Sequence, residues 1–266
     1  MRGHLETVQE FITERDDRVL SALEMARGNR LPAFGCAPMA GGSGLATLLC
    51  AGIRADHECY SAAETLEKLR NGMYVMLRES SVAHFLDENI KVITENGVKT
   101  DRIGFCTDDV TAADVLRDGH LDRLVRMAIE RGVPPVKAIQ MATINVAQIY
   151  QVDGQAGVIA PGRLASILLV DDPASFRVQQ VIAKGRLAAS CGRMTPPAEP
   201  PPRSTALLRT FRNKQLGCRF PSPFMYMIFL SVTAIPDYAM TDLGLIDCVS
   251  LNVISPILGP AGDAHE

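Results

Sequence analysis

The chain has 266 residues, of which 47% are hydrophobic and 21% are charged, and its formal net charge is -3. This length allows one barrel-sized domain, or a medium domain plus a smaller one. The high apolar fraction excludes a disordered chain, and the near-neutral charge argues against nucleic-acid binding by bulk charge. A small molecule is therefore the expected partner.

The cysteines and the apolar segments bear on where the protein resides. Seven cysteines are scattered without paired spacing, and the N-terminal residues lack the apolar region of a signal peptide. The most apolar stretch, residues 223–236, is shorter than the roughly 20 residues that a membrane-spanning helix needs. We expect a cytoplasmic protein without a membrane span.

The first half of the chain alternates short apolar runs with amphipathic segments. Residues 5–28 predict a helical lead-in, because their apolar positions recur at helical spacing. Four apolar runs then predict strands, and a helix-like stretch follows each of them; the runs are 33–36, 53–55, 73–77 and 103–106. This repeated βα pattern predicts a parallel sheet, either doubly wound or part of a barrel.

Local signals mark several helices. Ser61 and Glu64 form a capping box after the second strand, and Gly72 supplies a stop. Apolar stripes at 121–129 and 136–150 predict two covering helices, the second opening on a proline pair. The glycine-rich segment 41–44 lacks the Lys-Ser/Thr of a phosphate loop, and we interpret it as a flexible turn.

The sequence pattern changes after residue 150, where the alternation of strands and helices ends. Short strand candidates at 158–159, 167–170, 178–182 and 186–188 indicate a small β module. Five prolines within residues 195–203 then mark a linker or junction. These patterns predict three parts, with boundaries at 1–150, 151–194 and 195–266.

Ionisable residues gather where the predicted strands end. Functional groups of parallel α/β proteins collect at the carboxyl ends of strands. Cys36, His57 and Asp108 follow three of the four strands, and imidazole and carboxylate both suit zinc, iron or manganese. Asp108 could also move a proton between water and a leaving group. These residues are the candidate metal and catalytic set.

Structural explanations compete with these assignments. His57 could be a packed or surface histidine, and the pair Asp108-Asp109 could cap the following helix. Arg78, Glu79 and Ser80, after the third strand, could orient a polar heterocycle or form an ordinary ion pair. His120 could reach a pocket, but its position favours a helix start.

Four blocks resemble, in order and spacing, adenine deaminases of the metal-dependent amidohydrolase superfamily. A fifth block at 157–162 is similar to the family's return into its small β domain, and residues 223–225 and 241–247 resemble its C-terminus. The four blocks are AGIRADHE at 51–58, NGMYVMLRES at 71–80, FCTDD at 105–109 and AIQMATINVA at 138–147.

The resemblance implies a fold, a reaction and two ligands. The family fold is a (β/α)₈ barrel with a β domain, so this chain is expected to be α/β, with about the last four βα units of the barrel, a small β module and a truncated C-terminal segment. The implied reaction is hydrolysis of adenine to hypoxanthine and ammonia. His57 falls on a metal-ligand histidine, and Asp108 falls on the metal-binding and proton-transferring aspartate.

Departures from the family pattern are equally informative. The first metal pair of the family, His-x-His, has no counterpart, and four strands are expected to be missing. Cys36, in the segment GCAPMAGGS at 35–43, replaces a histidine ligand, and Ser166 stands where the family has an aspartate. A thiolate can bind zinc, so Cys36 stays a third candidate ligand.

Three hypotheses follow. The chain could be an adenine deaminase, either completed by a separate N-terminal half or acting through residual binding of manganese, iron or zinc. The expected protein partners are that half or further copies of the chain in a homo-oligomer. It could instead be a non-catalytic remnant that binds a full-length deaminase subunit. It could also be a doubly wound α/β binding protein with another ligand. An incomplete barrel exposes two strand edges, which favours aggregation or pairing with another chain. The shortage of metal ligands predicts an impaired or inactive isolated chain.

Overall fold

The computed structural model describes residues 17–195. The helices are α1 Asp17–Gly28, α2 Gly42–Cys50, α3 Ala62–Arg70, α4 Leu86–Asn89, α5 Lys91–Thr94, α6 Ala112–Asp118, α7 Leu121–Glu130, α8 Pro135–Ala142 and α9 Ile144–Ile149. The strands are β1 Ala33–Gly35, β2 Ile53–Asp56, β3 Tyr74–Arg78, β4 Ile103–Cys106, β5 Ile167–Val170, β6 Val178–Ala183, β7 Arg186–Ser190 and β8 Arg193–Met194.

The four predicted strands form one parallel sheet in the order β1-β2-β3-β4. Each pair is joined through at least one helix, as parallel pairing requires. The carboxyl ends of all four strands therefore lie at the same edge of the sheet, which is called the carboxyl edge below. The prediction of a mixed α/β fold with a parallel sheet is confirmed.

The side chains of β3 alternate between two apolar clusters. Val75 and Leu77 of β3 pack with helices α7 and α8 in the larger cluster. Met76, between them on the opposite face, packs with Ile149 of α9. Burial on both faces explains why these strands read as continuous apolar runs in the sequence.

Helix α3 begins and ends as its sequence predicts. The Ser61 hydroxyl accepts a hydrogen bond from the Glu64 backbone N–H at 3.2 Å. The Glu64 carboxylate in turn accepts from the backbone N–H of Tyr60 at 3.0 Å. Gly72, at φ +87°, takes the left-handed conformation that ends the helix. The reciprocal pairing satisfies two backbone donors at the helix start.

Three local predictions are wrong. The single helix expected over 136–150 breaks at Thr143, with φ -128° and ψ -94°, into α8 and α9. The expected turn at 41–44 instead opens α2, where the Glu67 carboxylate accepts from the backbone N–H of Gly42 at 2.8 Å. A carboxylate from another helix thus supplies the partner that the glycines lack. Residues 158–159 form no strand, and Ile159 is 82% exposed.

The small β module is a four-stranded antiparallel sheet in the order β5-β6-β7-β8. Phe176, between β5 and β6, is buried in the larger cluster beside the parallel sheet, and Leu168 and Val170 pack against the same cluster. The module is therefore attached to the α7–α8 side of the parallel sheet by apolar contacts.

Some predictions lie outside the described residues. These are the start of the helical lead-in before residue 17, the proline-rich junction beyond 195, and the blocks at 223–225 and 241–247. Among residues 17–195, no helix has the length and apolar character needed to cross a membrane.

Candidate functional site

The carboxyl edge of the parallel sheet brings together residues from four separate strands. Cys36 directly follows β1, His57 and Glu58 directly follow β2, Arg78 ends β3, and Asp108 lies two residues after β4. Because the strands are parallel and adjacent, residues far apart in sequence become neighbours here. Every candidate metal ligand named from the sequence lies at this edge.

Cys36, His57 and Glu58 form a tight triangle. The Cys36 Sγ lies 3.8 Å from His57 Nε2, and His57 Nε2 lies 3.7 Å from Glu58 Oε1. One ligand atom from each residue lies within 4.8 Å of the other two. The His57 side chain is 22% exposed, so the triangle is half-buried and open to solvent on one side.

Arg78 links this triangle to Asp108. Its Nη1 donates to Glu58 Oε1 at 2.7 Å and also forms a close ion pair with Asp108 Oδ2. The guanidinium carbon lies 5.7 Å from the centre of the Phe85 ring. Its Nε is buried and has no hydrogen-bond partner among the described residues. The Arg78 guanidinium therefore joins two carboxylates, and its Nε–H donor is not used by any described residue.

Burial dominates the electrostatic environment of the triangle. Burial raises the pKa of the Cys36 thiol, and the carboxylates of Glu58, Asp56 and Asp108 raise it further, while Arg78 opposes them. Burial also raises the pKa of Glu58, which the charges of Arg78 and His57 partly offset. Burial is the largest cause of both shifts, because it disfavours the charged form of each group.

Asp108 does not cap a helix. The N-cap of α6 is Thr111, whose hydroxyl accepts from the Asp114 backbone N–H at 3.2 Å. Asp108 adopts the left-handed conformation at φ +52°, which an aspartate tolerates better than most residues. The turn directs its carboxylate to Arg78. The helix-cap explanation is therefore wrong for Asp108.

Glu79 and Ser80 have other contacts. Glu79 is 3% exposed and binds His84 at 2.7 Å and Arg123 at 3.4 Å. Ser80 is 1% exposed, and its hydroxyl accepts from the backbone N–H of Ala83. Within the described contacts, Arg78 is the member of this predicted trio that touches the triangle.

His120 stands at the start of α7, as its sequence position favoured. It is the N-cap residue of that helix, and its Nε2 lies 3.1 Å from the hydroxyl of Thr107, which follows β4. The histidine thus ties the helix start to a strand end.

A second ionic cluster lies next to the first at the carboxyl edge, and sequence reasoning missed it. Lys68 of α3 is fully buried, and its Nζ binds Asp56 Oδ2 at 2.6 Å, Glu64 Oε1 at 2.5 Å and the Ala37 carbonyl oxygen at 2.7 Å. Burial lowers the pKa of Lys68, but Asp56, Cys59 and Glu64 together outweigh this effect, and the net shift of the pKa is upward. The signal available in the sequence was an aspartate ending an apolar strand run.

The residues present fit a divalent metal ion at the triangle. Zinc bonds to sulfur at about 2.3 Å and to nitrogen or oxygen at about 2.0–2.2 Å, so its ligand atoms stand roughly 3.5 Å apart. The separations of 3.8 and 3.7 Å need only small adjustments to reach that spacing. Asp108 is held by Arg78 and is not part of this three-residue group.

Comparisons with known proteins identify the family of this chain. The model of the amidohydrolase family matches residues 43–188, and that of the adenine deaminase C-terminal domain matches residues 190–252. Adenine deaminase 1 of Desulfotalea psychrophila is 44% identical over 96% of this chain, and adenine deaminase 1 of Latilactobacillus sakei is 50% identical over 78%. The chain spans 41% and 35% of those two relatives.

Adenine deaminase 4 of Rhizobium meliloti is 34% identical over 98% of this chain and 70% of the relative. That alignment has 423 positions, more than the 266 residues of the chain, so it includes long gaps on this side.

Solved structures match more weakly. Phenylurea hydrolase B is 18% identical with a TM-score of 0.48 and covers 64% of this chain and 46% of its own. An amidohydrolase from Thermotoga maritima is 15% identical with a TM-score of 0.43 and covers 57% and 42%. Both scores lie below 0.5, so the assignment depends on the sequence matches. The chain belongs to the amidohydrolase family and, within it, to the adenine deaminases.

Proposed function

We propose that this chain supplies part of a metal-dependent site that hydrolyses adenine to hypoxanthine and ammonia. The observation that carries the proposal is the gathering of Cys36, His57, Glu58, Arg78 and Asp108 at the carboxyl edge of a parallel sheet, in a chain that belongs to the adenine deaminases. The substrate is a purine, and the metal is manganese, iron or zinc.

Each residue has a distinct role in this proposal. His57 holds the metal, and Cys36 supplies a further ligand. When bound, a divalent ion supplies Lewis-acid activation of the water and of the developing negative charge. Asp108 takes a proton from the attacking water and delivers it to the departing amino group. The water oxygen first bonds to the carbon that carries the amino group, and the carbon–nitrogen bond then breaks. The nitrogen leaves as ammonia with the proton that Asp108 delivers.

Arg78 is the residue that we place against the substrate. Its Nη1 holds the Asp108 carboxylate beside the triangle. Its Nε is buried without a described partner, so it can donate to an acceptor atom of the purine ring. A planar guanidinium that already bonds to two carboxylates is also pre-organised, so little conformational freedom is lost when substrate binds.

Glu79 and Ser80 were predicted, with Arg78, to bind the substrate, and we propose that they instead support this arrangement. Both are buried in the segment that follows Arg78, and Glu79 ties that segment to α7 through Arg123. They would hold the backbone next to Arg78 and leave the contact with the purine to the guanidinium.

We propose that a further polypeptide segment completes the site. Strands β1 and β4 are the two edges of the parallel sheet among the described strands, and an unpaired edge is a template for another strand. A complementary N-terminal half, or a second copy of the chain, could pair with both edges. The division at 1–150, 151–194 and 195–266 belongs to the same proposal.

The same edges favour a second candidate function. A chain without enough ligands of its own could bind a full-length deaminase subunit through β1 or β4 without performing catalysis. The two candidates differ in one measurable property, because only the first one converts adenine when its complement is present.

The test is a reconstitution. The full 266-residue chain is co-purified with the part of the Desulfotalea psychrophila relative that this chain does not match, and adenine consumption is followed by the ultraviolet spectrum of hypoxanthine. We expect turnover that requires both parts and added metal, and that Asp108→Asn abolishes. A complex that forms but leaves adenine unchanged at every metal would support the non-catalytic candidate and overturn the first.

A further inference from the structure

We infer that Cys36, His57 and Glu58 form a zinc site that this chain holds by itself, with a thiolate as the selecting ligand. The inference rests on the metal chemistry of the proposed function, but not on adenine turnover. It differs from the sequence-based expectation in two ways. Glu58 joins the ligands, and Asp108 stays outside them in its pair with Arg78.

Geometry is the first argument. The three donor atoms belong to residues after two adjacent parallel strands, so the sheet itself fixes their spacing. Three protein ligands and one open position describe a catalytic zinc site. The exposed side of His57 leaves room for that fourth position, since 22% of its side chain reaches solvent.

The chemistry of the donors selects the metal. Thiolate ligands favour zinc over magnesium, calcium and manganese, which prefer oxygen donors. Cys36 and Glu58 would together carry two negative charges, which a divalent ion neutralises, while the imidazole of His57 binds as a neutral ligand. The Arg78–Asp108 pair is already balanced and adds no net charge.

Arg78 acts as a positioning residue for Glu58. A carboxylate oxygen has two lone pairs, so Glu58 can accept the Arg78 hydrogen bond and still bind a metal. Such outer partners orient ligands, and their loss typically weakens metal binding by about 10–100-fold. Arg78→Gln should weaken zinc binding within this range.

The other group of possible ligands in the described residues provides a contrast. Asp56, Cys59 and Glu64 also lie within 4.8 Å of one another, but the ammonium of Lys68 contacts all three. That cluster already contains its cation, whereas the Cys36 triangle borders solvent and has Arg78 on one side only.

The test uses the full chain with its metals removed and cobalt(II) or zinc as the probe. We expect cobalt to bind one per chain and to produce a thiolate-to-cobalt charge-transfer band, which zinc then displaces. Cys36→Ser should lose the band. Loss of an outer-shell partner weakens metal binding by about 10–100-fold, so loss of this direct ligand should weaken zinc binding by at least about 100-fold. Cys50→Ser is the matched control, because Cys50 is an exposed free thiol away from the site.

A second measurement does not depend on a variant that folds. Zinc should slow alkylation of Cys36 by iodoacetamide, mapped by mass spectrometry, and leave the exposed thiols of Cys50 and Cys191 unchanged. Cys36→His should keep one zinc per chain but lose the cobalt charge-transfer band. Circular dichroism of each metal-free variant confirms that it is folded.

Two results would overturn the inference. One is zinc binding by Cys36→Ser that equals that of the unaltered chain, and the other is equal alkylation of Cys36 with and without zinc. Adenine turnover is measured separately in the reconstituted complex. Zinc binding without turnover would defeat only the proposed function, and turnover with another metal, without thiolate ligation, would defeat only this inference.

Discussion

Two ionic clusters lie side by side at the carboxyl edge, and consecutive residues at the end of β2 contribute to both. Asp56 turns inward to the fully buried Lys68, while His57 and Glu58 turn toward Cys36 and Arg78. In the first, the cation is a lysine of the same chain and is completely enclosed. In the second, the side chains of His57, Glu58 and Arg78 keep between 11% and 22% of their surface exposed.

The buried Lys68 cluster has a structural role, whereas the Cys36 triangle supplies the candidate metal ligands. Lys68 joins α3 to the loop after β1 and to the end of β2, through the Ala37 carbonyl and Asp56. The buried cluster therefore fixes the spacing of the strand ends that carry the ligands. The geometry of the half-buried Cys36 triangle depends on that spacing, and the triangle itself contributes little to it.

Removal of the buried cation should have the largest effect. Lys68→Met leaves the Asp56 carboxylate buried without its partner, and we expect a loss of about 3–5 kcal/mol in the free energy of unfolding. Urea denaturation measures it. Lys91→Met is the matched control, because Lys91 forms an exposed pair with Glu88 and should show no measurable change.

The double variant Lys68→Met with Asp56→Asn sharpens this prediction. It removes the stranded charge, so it should recover part of the lost stability. If the single and double variants were equally unstable, the loss would come from packing and not from the unpaired carboxylate.

Zinc should stabilise the fold by a somewhat smaller amount. At free zinc 100 times its dissociation constant, the expected gain is about 2.7 kcal/mol if the unfolded chain binds none. His57→Asn should abolish this gain and leave the metal-free stability nearly unchanged, because the histidine is partly exposed. A gain that persisted in His57→Asn would place the ion elsewhere.

Removal of the N-cap of α6 should have a smaller effect on stability than the two preceding changes. Thr111→Ala removes the side-chain cap of α6 and should cost about 1 kcal/mol, measured by thermal unfolding. Ser81→Ala tests the link from the segment after β3, because the Ser81 hydroxyl accepts from the Thr111 backbone N–H at 2.8 Å. Neither change should alter zinc binding.

Acid should weaken this same cap, with the smallest effect of the series. Hydrogen bonds from Ser81 and Thr111 lower the pKa of Asp114 from its ordinary value of 3.8, with Arg117 contributing. A lowered pKa adds stability above the ordinary value, and this is lost as pH falls through the folded-state value. Asp114→Asn should reduce the loss of stability below pH 4, measured by thermal unfolding across the acid range.

Much of the fold was predictable, because its signals are local. The strand runs were buried on both faces and therefore continuous, and the cap of α3 used the residues expected of it. The break at Thr143 and the helix start at Gly42 were missed, since both depend on tertiary contacts. Gly42, for instance, receives its partner from Glu67 on another helix.

The candidate site was likewise predictable only in its local features. Cys36, His57, Arg78 and Asp108 could be named from the sequence, because each stands where a strand ends. Their partners could not be named, since the Arg78–Glu58 and Arg78–Asp108 pairs join residues 20 and 30 positions apart. Spacing along a strand shows where a side chain emerges, but not which neighbour it meets.

The sequence by itself indicated the family, the succession of strands and helices along the chain, and the strand ends at which ionisable groups collect, because motifs, periodicity and caps are local properties. Only the tertiary structure decided that Lys68 is buried, that Asp108 pairs with Arg78, and that Glu58 joins Cys36 and His57. Those outcomes depend on which strands lie adjacent and on how charges are balanced once water is removed.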